Sequence, residues 1–106
     1  MEYSLLKNIT YNGTNMPTKD EKQYLDKVAR LGCILCRRHG FNDTPAEIHH
    51  IRRFGGKREN AEVIPLCPPH HRGDIGVHGL GAKGFERRYN LTQDELLEHT
   101  KRLLNE

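Results

Sequence analysis

The sequence predicts a small α+β domain clamped by a structural zinc ion, on three observations. Two short apolar strands lie between amphipathic helices. All three cysteines fall in pairs with two residues between partners. The chain is too polar to rest on its core alone. At 106 residues it fits one domain. With 35% hydrophobic and 29% charged residues, no Trp and three Phe, the core is thin. Thin cores are commonly reinforced by a metal or by disulfides. Three cysteines cannot complete a disulfide framework, and seven histidines, several beside cysteine, favour a metal. Free thiols of this kind suit a reducing, cytoplasmic setting.

Residues 1–17 are polar and end at Pro17, and read as a flexible N-terminal arm ahead of a domain at 18–106. No apolar run approaches the roughly 20 residues of a membrane span, and the start has no secretory pattern. The net charge of +3 permits nucleic-acid binding without establishing it.

Thr18-Lys-Asp-Glu21 is a capping box that opens a helix. Tyr24, Leu25, Val28, Ala29 and Leu31 give that helix an apolar stripe, and Gly32 stops it. Cys33-Ile-Leu-Cys36 follows as a tight knuckle, and 37–45 are rich in turn formers. Residues 46–51 and 62–66 read as strands of a hairpin whose long loop, Arg52 to Asn60, is basic and contains glycine. Pro68 and Pro69 favour a helix start after Cys67. Gly73, Gly76, Gly79 and Gly81 argue against helix beyond Arg72. Helix is expected again over 83–89. Thr92-Gln-Asp-Glu95 is a second capping box and opens the last helix, with Leu96, Leu97, Leu103 and Leu104 as its apolar positions. There is no internal repeat and no linker.

Cys33-x2-Cys36 and Cys67-x2-His70, thirty residues apart, have the ligand spacing of a structural zinc site. Two residues three apart on a knuckle aim both side chains at one ion, and two knuckles complete a tetrahedron. His39 and His71 compete with His70 for the fourth position; His70 is preferred because its spacing copies the first knuckle.

The other polar residues follow in a recognisable order. His49-His50 end the first strand, Asn60 and Glu62 precede the second, and His71 follows the zinc knuckle. The segments Glu47-Ile-His-His-Ile51, Val63-Ile-Pro-Leu-Cys67-Pro-Pro-His-His71, Gly76-Val-His78 and Phe85-Glu-Arg-Arg-Tyr89 resemble an HNH endonuclease. More narrowly they resemble the phage recombination-enhancement (Ref) family of RecA-dependent nucleases. The resemblance spans roughly residues 20–104.

That resemblance implies a ββα-metal fold holding one divalent ion against the scissile phosphate. It implies His50 as general base, with His49 and His71 as ligands of the catalytic metal. Asn60 or Glu62 would orient His50. HNH sequences place that residue five positions before the knuckle cysteine, where this chain has Glu62; Asn60, the preferred choice, lies two positions earlier. The family also implies DNA as substrate, the RecA filament as partner, and a phage or prophage protein in a bacterial cytoplasm.

The chemistry is consistent. An imidazole of pKa near 6.5 can take a proton from water at neutral pH, and phosphodiester hydrolysis needs a cation near the leaving oxygen. Mg²⁺ or Mn²⁺ is expected there, with Zn²⁺ as an alternative. His78 is a candidate third ligand or phosphate contact, weighed evenly against an exposed loop histidine. Neighbouring residues of a regular strand face opposite sides, so His49 and His50 share a site only at a strand edge or end. Arg52, Arg53, Lys57 and Arg58 around Gly55-Gly56, together with Lys83, Arg87 and Arg88, are the candidate phosphate contacts. Two rival readings are a non-catalytic zinc-finger module that binds nucleic acid and a recombination adaptor that binds protein.

Overall fold

A computed structural model describes residues 18–51 and 62–105. Helix α1 spans Lys19–Arg30 and α2 spans Ile34–Arg38. Strands β1 (Glu47–His50) and β2 (Val63–Leu66) come next, followed by α3 (Pro68–His71), α4 (Val77–Tyr89) and α5 (Gln93–Leu104). The helix starts are locally encoded. Thr18 accepts from the Glu21 backbone at 3.1 Å while the Glu21 carboxylate accepts from the Thr18 N–H at 2.6 Å. Thr92 and Glu95 repeat the arrangement at 3.0 and 2.7 Å. Each box satisfies two backbone donors that the first helical turn leaves without a partner.

The strands pair antiparallel, with Glu47 opposite Leu66 and His50 opposite Val63. Ile51 donates to the Glu62 carbonyl at 2.8 Å, which places the hydrogen-bonded pairs at 51/62, 49/64 and 47/66. Pro65 therefore falls opposite Ile48 in a pair that asks no N–H of it, which explains how proline enters this strand.

The pleat sorts β1 into two faces. Ile48 packs with Leu25, Val28, Ala29 and Val63 beneath α1. Glu47 and His49 look the other way, toward α3. A second cluster, with Ile34, Leu35, Ile64, Leu66, Phe85 and Leu96, joins α2, β2, α4 and α5. Thr100 is fully buried among these apolar side chains, and its hydroxyl donates to the Leu96 carbonyl at 2.8 Å. That bond removes the cost of an unpaired buried hydroxyl.

Three expectations change. Tyr24, assigned to the apolar stripe, is 43% exposed; at the edge of that stripe its ring meets solvent while Leu25 and Val28 fill the interface. The knuckle at Cys33 is a short helix whose N-cap is the Cys33 thiol itself, accepting from the Cys36 N–H at 3.4 Å. The helix expected over 83–89 is present, but the chain is already helical from Val77, and Gly81 (φ 79°, ψ 160°) breaks α4 into a short first turn and the longer segment that ends at Tyr89. The preceding turn is set by packing. A Cβ on Gly76 would lie 2.5 Å from the His70 carbonyl carbon, so only glycine lets the start of α4 lie against α3. Local propensity does not register such an approach.

Candidate metal centres

Two clusters of ligating side chains form where β1, α2, α3 and α4 meet. In the first, Cys33 and Cys36 come from the start of α2, while Cys67 and His70 come from the end of the hairpin and from α3. Nδ1 of His70 lies 3.7, 3.6 and 3.2 Å from the sulfurs of Cys33, Cys36 and Cys67, and the Cys36 and Cys67 sulfurs are 3.8 Å apart. A tetrahedral zinc ion with bonds of about 2.3 Å to sulfur sets its ligands about 3.8 Å apart along each edge, so these residues could hold zinc. All three cysteines are free thiols.

The electrostatics agree with that fit. Burial pushes the Cys67 thiol up to about 12, with the crowding sulfurs of Cys33 and Cys36 adding to it, and burial raises Cys33 as well. A divalent cation is the charge that reverses both effects and favours thiolate. Burial also holds His70 below the ordinary histidine range, as a neutral ligand must be. Its ring meets Tyr89 edge-on at 5.4 Å, and the Tyr89 hydroxyl donates to the Ile75 carbonyl at 2.7 Å. Of the three histidines that competed for the fourth place, the geometry groups His70 with the thiols; His39 and His71 lie outside that group.

The second cluster is His49, His71 and His78. One ring nitrogen from each falls within 4.8 Å of the others. The ring centroids are 5.2 Å apart for His49–His71, 5.5 Å for His49–His78 and 4.8 Å for His71–His78. Each ring comes from a different element. His49 sits on the inward face of β1, His71 ends α3, and His78 is the second residue of α4. Because α3 follows Cys67 directly and α4 packs on α3 through Gly76, the Cys67–His70 turn positions two of the three imidazoles.

Two of the rings are anchored from behind. His71 donates through Nδ1 to Glu47 Oε1 at 2.8 Å. Arg72 grips the same carboxylate with Nε at 3.0 Å and Nη2 at 2.6 Å. The Arg72 guanidinium, and secondly the His71 contact, hold Glu47 below the usual carboxylate range. His49, 4% exposed, donates through Nε2 to Gln93 Oε1 at 2.7 Å, while its buried Nδ1 has no hydrogen-bond partner among the described residues. Burial, with the nearby His71, His78 and His50 adding to it, brings His49 down to about 4. Burial, and next His71, lowers His78 too. Imidazoles kept neutral with lone pairs converging are what a divalent cation requires, and the buried Nδ1 of His49 is the atom that such an ion would satisfy.

The remaining predicted residues stand as follows. His50, the last residue of β1, falls on the opposite side of the pleat from His49 and is half-buried. Glu62 lies just before β2 and pairs through Oε2 with Lys101 at 2.7 Å, both side chains 44% exposed. Lys83 and Arg87 are exposed on α4. Arg52, Arg53, Lys57, Arg58 and Asn60 lie outside the described residues, as does the arm at 1–17. Two residues around the histidines went unassigned from sequence. Glu47 was legible in principle, since strand alternation puts it on the face of His49 two residues away. Gln93 carried no signal beyond its place in a capping box. Among the described residues no helix is long and apolar enough to cross a membrane.

A family model described as recombination enhancement, RecA-dependent nuclease matches residues 17–105. No curated protein matches the chain.

Proposed function

This chain belongs to the recombination-enhancement, RecA-dependent nuclease family, and we propose that it is a metal-dependent endonuclease of the HNH kind, hydrolysing DNA phosphodiester bonds. The observation that carries the reading is the convergence of His49, His71 and His78 within 4.8 Å beside the Cys33/Cys36/Cys67/His70 clamp. In this reading the hairpin and α3 form the ββα-metal unit. The clamp is structural, and the three imidazoles hold the second ion.

A divalent cation bound there supplies positive charge next to the phosphate oxygen on which negative charge develops. Three imidazoles favour Mn²⁺, Co²⁺ or Zn²⁺ by ligand softness, and Mg²⁺ can serve if water and phosphate oxygens complete its shell. His50 is the general base: on the strand end, across the pleat from the ligand His49, its neutral ring takes a proton from the attacking water. Asn60 or Glu62 orients that ring. Arg52, Arg53, Lys57 and Arg58, with Lys83 and Arg87 on α4, neutralise backbone phosphates without reading base edges, so binding is salt-sensitive and weakly sequence-selective. The RecA filament directs the cut, a reading supported by the family's description as RecA-dependent.

The test is cleavage of RecA-bound and naked plasmid DNA with Mg²⁺ or Mn²⁺ by the full chain and by His49→Ala and His50→Ala. Both variants are expected to keep the clamp zinc. His50→Ala should slow cutting by about 10²- to 10⁴-fold, the usual contribution of a general base. Wild-type cutting by His50→Ala would remove the base, and wild-type cutting by His49→Ala would remove the second metal. DNA binding with no cutting under any of these ions would return the protein to the class of zinc-stapled binding modules.

A further inference from the structure

We propose that Gln93 is a positioning residue that selects Nδ1, and not Nε2, as the metal-binding nitrogen of His49. The inference rests on the metal reading of the three-histidine cluster. The Gln93 amide oxygen sits 2.7 Å from His49 Nε2, while the buried Nδ1 has no hydrogen-bond partner among the described residues. An amide oxygen accepts and cannot donate, so Nε2 carries the ring proton and Nδ1 presents a bare lone pair. If the amide were turned to donate its NH2 to Nε2, the proton would move to Nδ1. A buried N–H would then have no acceptor among the described residues, and its desolvation would go uncompensated. With the oxygen facing Nε2, what remains is a buried acceptor beside two further imidazoles, and a cation answers that need.

His71 is arranged the opposite way. Its Nδ1 donates to Glu47, leaving Nε2 for the ion. The cluster thus combines two ligand tautomers fixed by two different acceptors, a neutral amide behind His49 and a carboxylate behind His71. Partners of this kind set ring orientation and ligand basicity. The Gln93 backbone is itself held. It is the first residue of α5, following the Thr92 cap, and its N–H donates to Glu86 Oε2 of α4 at 3.0 Å. The N-terminus of α5 therefore reaches the metal cluster through one side chain.

The experiment uses the full chain with zinc in the cysteine clamp and Co²⁺ as the probe, since zinc outcompetes Co²⁺ for a given site. Two quantities are read: the His49 tautomer, by long-range ¹H–¹⁵N correlation before Co²⁺ is added, and the Co²⁺ affinity. Wild type is expected to show His49 as the Nε2–H form. Gln93→Leu is expected to lose that preference and to bind Co²⁺ about 10- to 100-fold more weakly. Gln93→Glu, which keeps an acceptor and suits the first turn of a helix, is expected to restore both.

Unchanged tautomer and affinity in Gln93→Leu, with Co²⁺ binding lost in His49→Ala, would overturn the role of Gln93 and leave the metal reading standing. No Co²⁺ binding to wild type, or undiminished binding to His49→Ala, would overturn the metal reading and this inference with it. Should Gln93→Leu fail to fold, Gln93→Glu decides. An affinity tenfold or more below wild type would overturn the proposal, and a wild-type tautomer and affinity would support it.

Discussion

Glu47 Oε1 accepts a hydrogen bond from His71 Nδ1 at 2.8 Å, on a carboxylate that Arg72 grips from its other side. A strand residue is thereby tied to the end of α3, and the imidazole is turned so that Nε2 is available to an ion. Glu47→Ala is expected to weaken Mn²⁺ or Co²⁺ binding about 10- to 100-fold, and Glu47→Gln, which keeps a weaker acceptor, less than that. Titration of the zinc-loaded protein reads both. Wild-type affinity in the two variants would mean that His71 needs no anchor.

The cysteine clamp is expected to decide whether the domain folds. Zinc binding to such a site contributes on the order of 10 kcal/mol, and whole domains are stable by only about 5–15 kcal/mol. A strong chelator, or Cys67→Ala, should therefore unfold most of the protein at room temperature, seen as lost helical circular dichroism. An identical melt with and without chelator would show that the two core clusters suffice.

Gly76→Ala is expected to destabilise the domain by about 1–3 kcal/mol, the usual cost of overpacking. Its new methyl would sit 2.5 and 2.6 Å from the His70 carbonyl carbon and oxygen, which are backbone atoms with little freedom to move. Because α3 carries His70 and His71 while α4 carries His78, metal binding at both clusters should weaken together. Denaturant unfolding and metal titration measure the two effects. A variant as stable as wild type would show that α3 and α4 can separate cheaply.

Acid should act on His49 in a defined window. Burial holds it down to about 4 in the fold, while in the unfolded chain it titrates near the usual 6.5. Between those values the unfolded state binds the extra proton. The stability tied to a neutral His49 is therefore complete above about pH 6.5 and is lost as pH falls toward 4. With zinc in the cysteine clamp and no other divalent ion added, the His49 ring resonances should stay near the neutral position down to about pH 5. A midpoint near 6.5 would show that the ring is more solvated than its 4% exposure indicates.

Much of the scaffold was legible because its signals are local. Thr18 and Thr92 each precede a Glu at the third helical position, and a capping box depends on nothing beyond four consecutive residues. The hairpin followed from two apolar runs, and its register pairs His49 with Ile64 and His50 with Val63. The clamp ligands followed from x2 spacing, which is a property of a single turn. The start of α4 was not legible, because what holds the Gly76 turn is its approach to His70 across the chain.

By itself, the sequence determined the starts of α1 and α5, the paired strands and the three cysteines of the clamp, since each is settled by neighbours within a few positions. Only the tertiary structure decided that His78 joins His49 and His71, that the fourth clamp position goes to His70, and that Glu47 and Gln93 stand behind the imidazoles. Those relationships reach across as many as 44 positions, from His49 to Gln93. Side-chain direction and close backbone approach fix them, and neither is written in local pattern.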